Sequence, residues 1–381
     1  MQRRTMSARP DWPGRLEQIG FTYHSADSGY WREDAAYEFS DAEIDRVEAA
    51  TDVMHRLCLE AVDRVIREDR FGDLQIPEGW RPRIVDSWER QEPSLYGRFD
   101  LRYDGSSEPK LIEYNADTPT SLLEASVAQW FWVQDTRPDA DQFNSLHERL
   151  IRRWTQVRHE SSTDLLHFAC LRDSEEDRQN LVYLADTALQ AGWRICTLAV
   201  DEIGWDGANR RFVDQTDTPI EMLFKLYPWE WMNQDAFAAH LSPEKLSVIE
   251  PAWKQVLSHK GLLALLWEWF PGHPNLLPAA LSEPIDRTSY VQKPFWSREG
   301  ANVTIVSGAR VMSTEGPYDR GASVFQQYCP LPEFAGWHPV LGSWVVGEEP
   351  AGMGIREDRG LIHGNTSRFV PHFFVKEVRV P

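Results

Sequence analysis

Two short polar runs carry the residue types from which a cation and phosphate site can be built. Tyr96-Gly97-Arg98-Phe99-Asp100-Leu101-Arg102 is followed, after the turn residues Asp104-Gly105-Ser106-Ser107, by Leu111-Ile112-Glu113-Tyr114-Asn115-Ala116-Asp117. This layout predicts a β-hairpin, and strand side chains alternate between two faces. Arg98, Asp100 and Arg102 then share one face, with Phe99 and Leu101 on the other. On the return strand Glu113 and Asn115 share a face, opposite Ile112 and Tyr114. If both polar sets face the same way, one surface offers an Asp, a Glu, an Asn amide and an Arg. Hard oxygen donors beside a fixed cation suit Mg²⁺ bound together with a polyphosphate. The plainer alternative is a half-solvated hairpin with its polar side in water. Asp and Asn are depleted in strands, so the cluster needs a reason. Spacing leaves both readings open.

The elements that must position this hairpin are mixed α and β. Ser40 and Glu43 form a capping box opening a helix to about Asp69, with Ile44, Val47, Met54, Leu57, Ala61 and Val65 at the helical period. Thr118-Pro119-Thr120-Ser121 reads as an N-cap with proline at the first helical position, leading into Leu122 to Val133. That helix N-terminus would place unpaired N–H groups beside the acidic hairpin. Leu165 to Leu171 and Arg194 to Val200 read as strands around a helix opened by Ser174 and Asp177, a βαβ unit. Glu175 and Glu176 fall in the first turn of that helix, where dipole pairing is the ordinary explanation. From Pro251 the chain is helical through Leu266, with a break around Lys260-Gly261. Beyond Tyr290 it turns β-rich, with strands at 290–295, 302–306, 323–328 and 343–346 before a turn at Gly347-Glu348-Glu349-Pro350.

Lys293 alternates with Val291 on one strand face and leads into the loop Trp296-Ser297-Arg298-Glu299-Gly300-Ala301-Asn302. A lysine entering a small glycine-containing loop can hold phosphates with a charge and backbone N–H groups. Neither a Walker A loop nor GxGxxG is present, so this signal alone is weak. The charged run Met353 to Arg359 reads by default as a solvated face.

Composition narrows the partners. A chain of 381 residues suggests two or three lobes. Its 40 basic and 59 acidic residues give a net charge of -19, which argues against nucleic acid or an anionic membrane as partner. A cationic substrate would suit that balance. The four cysteines show no CxxC pair, so neither a disulfide framework nor a zinc site is expected, and a reducing cytoplasm is. Two N-terminal arginines lack an apolar run behind them, unlike a signal peptide. The seventeen tryptophans are expected to fill cores and cover clefts.

Taken together, Arg98-x-Asp100, Glu113-Tyr114-Asn115-Ala116-Asp117, Lys260, Lys293-Pro294 with its loop, and Gly354-Ile355-Arg356 resemble the synthetase domain of glutathionylspermidine synthase. The resemblance runs from about Pro10 to the C-terminus and is strongest to stand-alone acid–amine ligases. It implies an α+β, ATP-grasp fold with an N-terminal pre-ATP-grasp region. The expected division is 1–95 for that region, 96–250 for the metal hairpin and substrate region, and 251–381 for the nucleotide region, with lobes discontinuous in sequence.

The resemblance also implies roles. Asp100, Glu113 and Asn115 would hold Mg²⁺. Arg98 would bridge ATP and the acid and stabilise the charge that develops during transfer. Lys260 and Lys293 would reach the ATP phosphates, Gly300 and its neighbours would cover them, and Arg356 would approach from the other lobe. Gln326, Gln327, Tyr328 and Cys329 would form the hinge against adenine. Thr118 stands where the family has serine, near the acid substrate, which puts glutathione in question. Glu175 and Glu176 are candidates for holding the amine. An amidase domain, present in bifunctional members, is not expected, with about a hundred residues before Arg98.

The implied activity is an ATP- and Mg²⁺-dependent ligase joining a peptide-like acid to an amine, such as a polyamine, through an acyl phosphate. Both substrates are small molecules, and a homodimer is the assembly to consider. Two other readings stay open: a catalytically inactive nucleotide-binding regulator or scaffold, and a carbohydrate-active hydrolase built on paired acids and tryptophans.

Overall fold

In this computed structural model, which describes residues 1–241, 246–318, 321–364 and 366–375, the chain opens with β1 (Gln2–Thr5), α1 (Trp12–Gln18) and β2 (Ala35–Phe39). Helix α2 (Asp41–Arg67) starts at the expected capping box. Ser40 Oγ accepts from the Glu43 amide while the Glu43 carboxylate accepts from the Ser40 amide, satisfying two donors at once. Its apolar stripe, including Val47, Met54, Ala61 and Val65, is buried in the larger core. After α3 (Arg81–Glu89) comes the polar hairpin, β3 (Tyr96–Arg102) and β4 (Lys110–Asn115). Its turn is fixed by Asp104 Oδ1, which accepts from the amides of Ser106 and Ser107 at 2.9 and 2.8 Å.

The middle of the chain holds α4 (Gln129–Thr136), α5 (Leu146–Glu160), β5 (Leu165–Cys170), α6 (Glu175–Gln190) and β6 (Arg194–Ala199). The short pair β7 (Gly204–Asp206) and β8 (Arg211–Val213) precedes β9 (Met222–Leu226), α7 (Trp229–Met232) and β10 (Ser247–Ile249). Strands β10-β9-β5-β6 form a parallel four-stranded sheet, so the expected βαβ unit is present. Helices α8 (Lys254–Ser258) and α9 (Leu262–Trp269) are separated at His259–Gly261, where a break was expected.

The last third is rich in strands: β11 (Ala279–Ala280), β12 (Ser289–Pro294), β13 (Thr304–Ser307), β14 (Arg310–Ser313) and β15 (Ser323–Gln327). These form one five-stranded sheet, ordered β11-β15-β12-β13-β14. They are followed by β16 (His338–Val346), β17 (Glu349–Asp358), β18 (Arg368–Phe369) and β19 (His372–Phe374). A second five-stranded sheet, β18-β17-β16-β3-β4, ties the polar hairpin to strands more than two hundred residues later. β19 likewise pairs with β2. The three consecutive segments expected from the sequence therefore exchange strands.

Two expectations about local structure are corrected. The helix after the hairpin begins at Leu122 rather than Pro119, with a π-helical turn over Glu124–Ala128. Ser121 takes a left-handed φ of 67° just before it, and the Leu122 amide is already bonded to Asn180 Oδ1. Thr118 therefore lies in a loop and caps no helix. The charged run from Met353 is not a solvated face. Met353 to Asp358 lie in β17, where Met353, Ile355 and Glu357 are fully buried and Glu357 accepts from Arg3, Tyr37 and Arg368, and only Arg359 beyond the strand is exposed. Among the described residues, no helix is long and apolar enough to cross a membrane.

Candidate active site

The hairpin register settles which way the polar sets face. Arg98 stands opposite Asn115 and Asp100 opposite Glu113, so all four share one face. Phe99 and Tyr114 stack on the other face with ring centroids 3.8 Å apart. A bulge between Asp100 and Leu101 makes Ile112 the extra residue, and it lines the cavity instead of opposing Glu113 as expected. Arg102 leaves the group: its guanidinium bonds the Pro330 carbonyl and Ser107 near the turn. The start of β3 is held by Glu250, whose Oε1 accepts from the Leu95 and Tyr96 amides, both at 3.0 Å.

Above this face is a cavity of about 420 Å³, lined by the hairpin, by β12 and β15 of the other five-stranded sheet, and by the loops at 297–300 and 361–363. Cations from three other elements converge on it, beside Arg98 of the hairpin itself. Arg356 of β17 donates to Asp100 Oδ2 at 2.6 Å, and Arg98 Nε donates to Asp100 Oδ1 at 2.7 Å. Lys260, in the α8–α9 break, lies 3.0 Å from Glu113 Oε2 and donates to the Ser297 carbonyl at 2.7 Å. Lys293 of β12 donates to the Ile112 carbonyl at 2.7 Å and to Gln326 Oε1 at 2.9 Å. Burial alone would raise the Glu113 carboxyl, but Lys260 and Lys293 override it and hold Glu113 well below the usual carboxylate range. Burial pushes Lys293 down to about 8, against the pull of Glu113.

Glycines allow this crowding. A Cβ at Gly342, which pairs with Asp100 across the strands, would come 2.8 Å from Arg98 Cδ. Gly300 has a φ of +66°, and a Cβ there would run into the His363 carbonyl. The loop after Lys293 can thus close against the segment at 361–364 over the cavity.

The opposite wall is acidic. Glu176 and Asp177, at the start of α6, face the cavity, and burial raises both carboxyls, Asp177 to about 6. Glu175, expected beside Glu176 as an amine contact, points away: it bonds Thr22, Arg178 and Gln179 outside the cavity. Helical geometry explains this, since consecutive residues diverge by about 100° around the axis. Thr118 lines the cavity, and its hydroxyl accepts from Arg298 Nη1 at 2.9 Å. Arg298 also bonds Glu230 at 2.6 Å.

Gln326, Gln327, Tyr328 and Cys329 all line the far end of the cavity. The Gln326 side chain is engaged between Lys293 and the Leu111 carbonyl. The Gln327 amide is spent on the Pro278 carbonyl at 2.7 Å and the Tyr328 amide on the Ser289 carbonyl at 3.4 Å. Among the described residues Trp231 is the one tryptophan lining the cavity, whereas Trp31, Trp132, Trp154 and Trp344 are core. That is not the aromatic floor a carbohydrate cleft would need.

The fold therefore brings together Arg98, Asp100, Glu113, Asn115, Thr118, Glu176, Lys260, Lys293, Gly300, the 326–329 segment and Arg356. Glu175 is the expected residue left out. Sequence reasoning passed over Arg298, although it sits in the loop after Lys293, and read Asp177 only as a helix-cap partner.

A cavity with carboxylates and an amide on one wall, four cations around them and a second acidic wall defines a class. It is that of a cleft able to hold an anionic group against its cations and a cationic group against its acids. The chain belongs to the glutathionylspermidine synthase preATP-grasp family, whose profile matches residues 3–375. It is 44% identical, over 96% of this chain and 98% of the other, to a Haemophilus influenzae protein provisionally named an acid–amine ligase. It is 26% identical over 93% of its length to trypanothione synthetase of Crithidia fasciculata. It is 27% identical over 90% of its length to the bifunctional glutathionylspermidine synthetase/amidase of Escherichia coli. The chain spans 57% and 59% of those two longer relatives. A glutathione synthetase-like effector of Globodera pallida shares the fold, with a TM-score of 0.54 over 97% of this chain and all of that one, at 10% identity. The chain is an acid–amine ligase, an enzyme that forms an amide bond.

One substitution tests the close approach that places Arg98. Gly342→Ala should cost about 1–3 kcal/mol of stability by overpacking, with the protein still folded, and should displace the guanidinium. A misplacement of about 1 Å costs on the order of 100-fold in turnover. Steady-state assay beside thermal unfolding checks this; unchanged turnover would show that Arg98 is not where the reaction needs it.

Proposed function

We propose that the chain is an ATP-grasp ligase that uses ATP and Mg²⁺ to couple a carboxylic acid to a cationic amine. The observation that carries this reading is the facing of Asp100, Glu113 and Asn115 toward Lys260, Lys293, Arg98 and Arg356 in one cavity. The donor set fits the metal: two carboxylates and an amide oxygen are hard ligands, suited to Mg²⁺ shared with phosphates. Asn115 Nδ2 donates to Glu113 at 3.2 Å, which leaves its oxygen for a cation. Mg²⁺ bound there would neutralise charge on a polyphosphate.

A carboxylate is a poor electrophile, because attack by an amine would have to expel oxide. Transfer of the ATP γ-phosphoryl group to the acid gives an acyl phosphate, whose phosphate is a good leaving group. Arg98, fixed between Asp100 and the Thr120 carbonyl, is placed to steady both the moving phosphoryl group and the tetrahedral adduct. Lys260 and Lys293 bind phosphates as charges, and Gly300 lets the loop shield the acyl phosphate from water. Gln326 to Cys329 line the adenine end. Glu176 and Asp177 would draw a cationic amine, a polyamine by charge and reach. Thr118, already bonded to Arg298, would border the acid, so an acid other than glutathione fits as well. The nucleotide, metal and substrate assignments share one cavity, and none needs the helix dipole first expected at Thr118.

The direct test is ADP release with ATP and Mg²⁺ across a panel of acids and amines. Amine-dependent ADP formation should favour polyamines over neutral amines and weaken as salt screens the acidic wall. Equal turnover with a neutral amine, or no salt dependence, would remove the polyamine assignment.

The two cations should separate in kinetics. Lys293→Ala should act mainly on ATP affinity, by roughly 1.5–3 kcal/mol, and Arg98→Ala mainly on kcat, because its target charge peaks in the transition state. Lys293 is charged below about pH 8 and neutral above it. kcat/KM for ATP should therefore fall as pH rises through that value, and Lys293→Arg should flatten the fall. A profile identical in wild type and Lys293→Arg would exclude Lys293 as its source.

A further inference from the structure

A second cluster of ligand atoms lies away from the cavity, on the face of the parallel sheet that meets the β7–β8 pair. His167 of β5 and Cys196 of β6 are register partners in adjacent parallel strands, so their side chains stand next to each other on one face. Asp214 follows β8 directly and reaches the same point from the turn above. Its Oδ2 lies 3.6 Å from His167 Nε2 and 3.8 Å from Cys196 Sγ, and the three ligand atoms are all within 4.8 Å of one another. A tetrahedral zinc, with bonds of about 2.0–2.3 Å, holds its ligand atoms about 3.3–3.8 Å apart. Only a small contraction separates the two.

His167 supplies the independent observation. It is 0% exposed, and neither ring nitrogen completes a hydrogen bond, although the Met222 main chain lies beside it. Asp214 Oδ2 at 3.6 Å is too far from Nε2 for a good hydrogen bond, and a buried imidazole whose nitrogens are so poorly satisfied calls for an ion or a water. Asp214 is oriented to match: its Oδ1 accepts from the Thr216 amide at 2.8 Å, the Thr216 hydroxyl at 2.9 Å and the Thr218 amide at 2.9 Å. That leaves Oδ2 turned to the histidine and the thiol.

We propose that His167, Cys196 and Asp214 form a site for a tetrahedral divalent transition metal, zinc in kind, with a water in the fourth position. One nitrogen, one sulfur and one oxygen donor select such a metal over Mg²⁺, which takes oxygen ligands and octahedral geometry. Cysteine spacing gave no sign of it, because the ligands converge from two strands and a turn rather than from one loop. The metal fastens the β7–β8 pair to β6, the edge strand of the sheet. Burial, with Asp214 beside it, raises the Cys196 thiol, and burial lowers His167, so the metal-free site holds a neutral thiol and a neutral imidazole. Binding then releases the thiol proton to solvent, and affinity increases with pH.

Cobalt(II) is the probe, titrated into the reduced, chelator-free full-length chain. The expected result is one equivalent bound with a near-ultraviolet thiolate-to-cobalt charge-transfer band, displaced by Zn²⁺. The band should vanish in Cys196→Ser and in His167→Gln, and persist in Cys329→Ser, which removes the thiol at the other cavity. Zn²⁺ should raise the melting temperature of wild type but not of Cys196→Ser. Metal-free melting temperatures matched to wild type show that the variants fold, and either variant suffices. Absence of the band in wild type, or its survival in Cys196→Ser, overturns the proposal.

Discussion

Two carboxylates that face each other across a hairpin, one buried and the other only partly exposed, need counter-charge. Asp100 and Glu113 are that pair, and like charges so placed repel strongly where solvent is scarce. Four cations answer them from β3, the α8–α9 break, β12 and β17. The second five-stranded sheet, the helix break and the glycine at 342 make sense as the means of delivering those cations to one point. The constraint extends outward: Asp117 is held by Lys225 at 2.6 Å and by the Trp229 amide, fixing the loop that carries Thr118. A buried pair of this kind adds little net stability, so its value lies in geometry.

The present pairings are also what substrates would have to exchange. A metal at the hairpin would replace Arg356 and Lys260 as partners of Asp100 and Glu113, freeing both cations for phosphates. In the proposed ligase, the metal and the nucleotide therefore help each other to bind. The acidic wall at Glu176 and Asp177 remains separate from this exchange. Its burial leaves both groups easier to protonate until a cation arrives.

Much of this was legible in the sequence, for identifiable reasons. Period-2 alternation placed Arg98, Asp100, Glu113 and Asn115 correctly, because a hairpin with a fixed turn admits one register. The Ser40 capping box and the break at Lys260-Gly261 were local signals that tertiary packing did not override. The misses arose where one residue changes the phase. The bulge at Ile112 turns that side chain to the cavity, and the left-handed Ser121 delays a helix that Thr118-Pro119 seemed to begin. Glu175 and Glu176 differ by one step around a helix, and only packing against Thr22 shows which faces inward. The run at Met353 misled because charges there are paired with Arg3 and Arg368 from distant segments, which no local pattern reveals.

The coupling between metal and nucleotide is the most direct measure of the charge exchange at the hairpin. Calorimetric titration of a non-hydrolysable ATP analogue, with and without Mg²⁺, should be run on wild type and on Asp100→Asn. The expected result is affinity that is stronger by at least about tenfold with Mg²⁺, a coupling of roughly 1.4 kcal/mol or more, and largely lost in Asp100→Asn. Equal affinity with and without the metal, or coupling retained in the variant, would contradict the assignment of the Asp100–Glu113 face as the place where metal and phosphate meet.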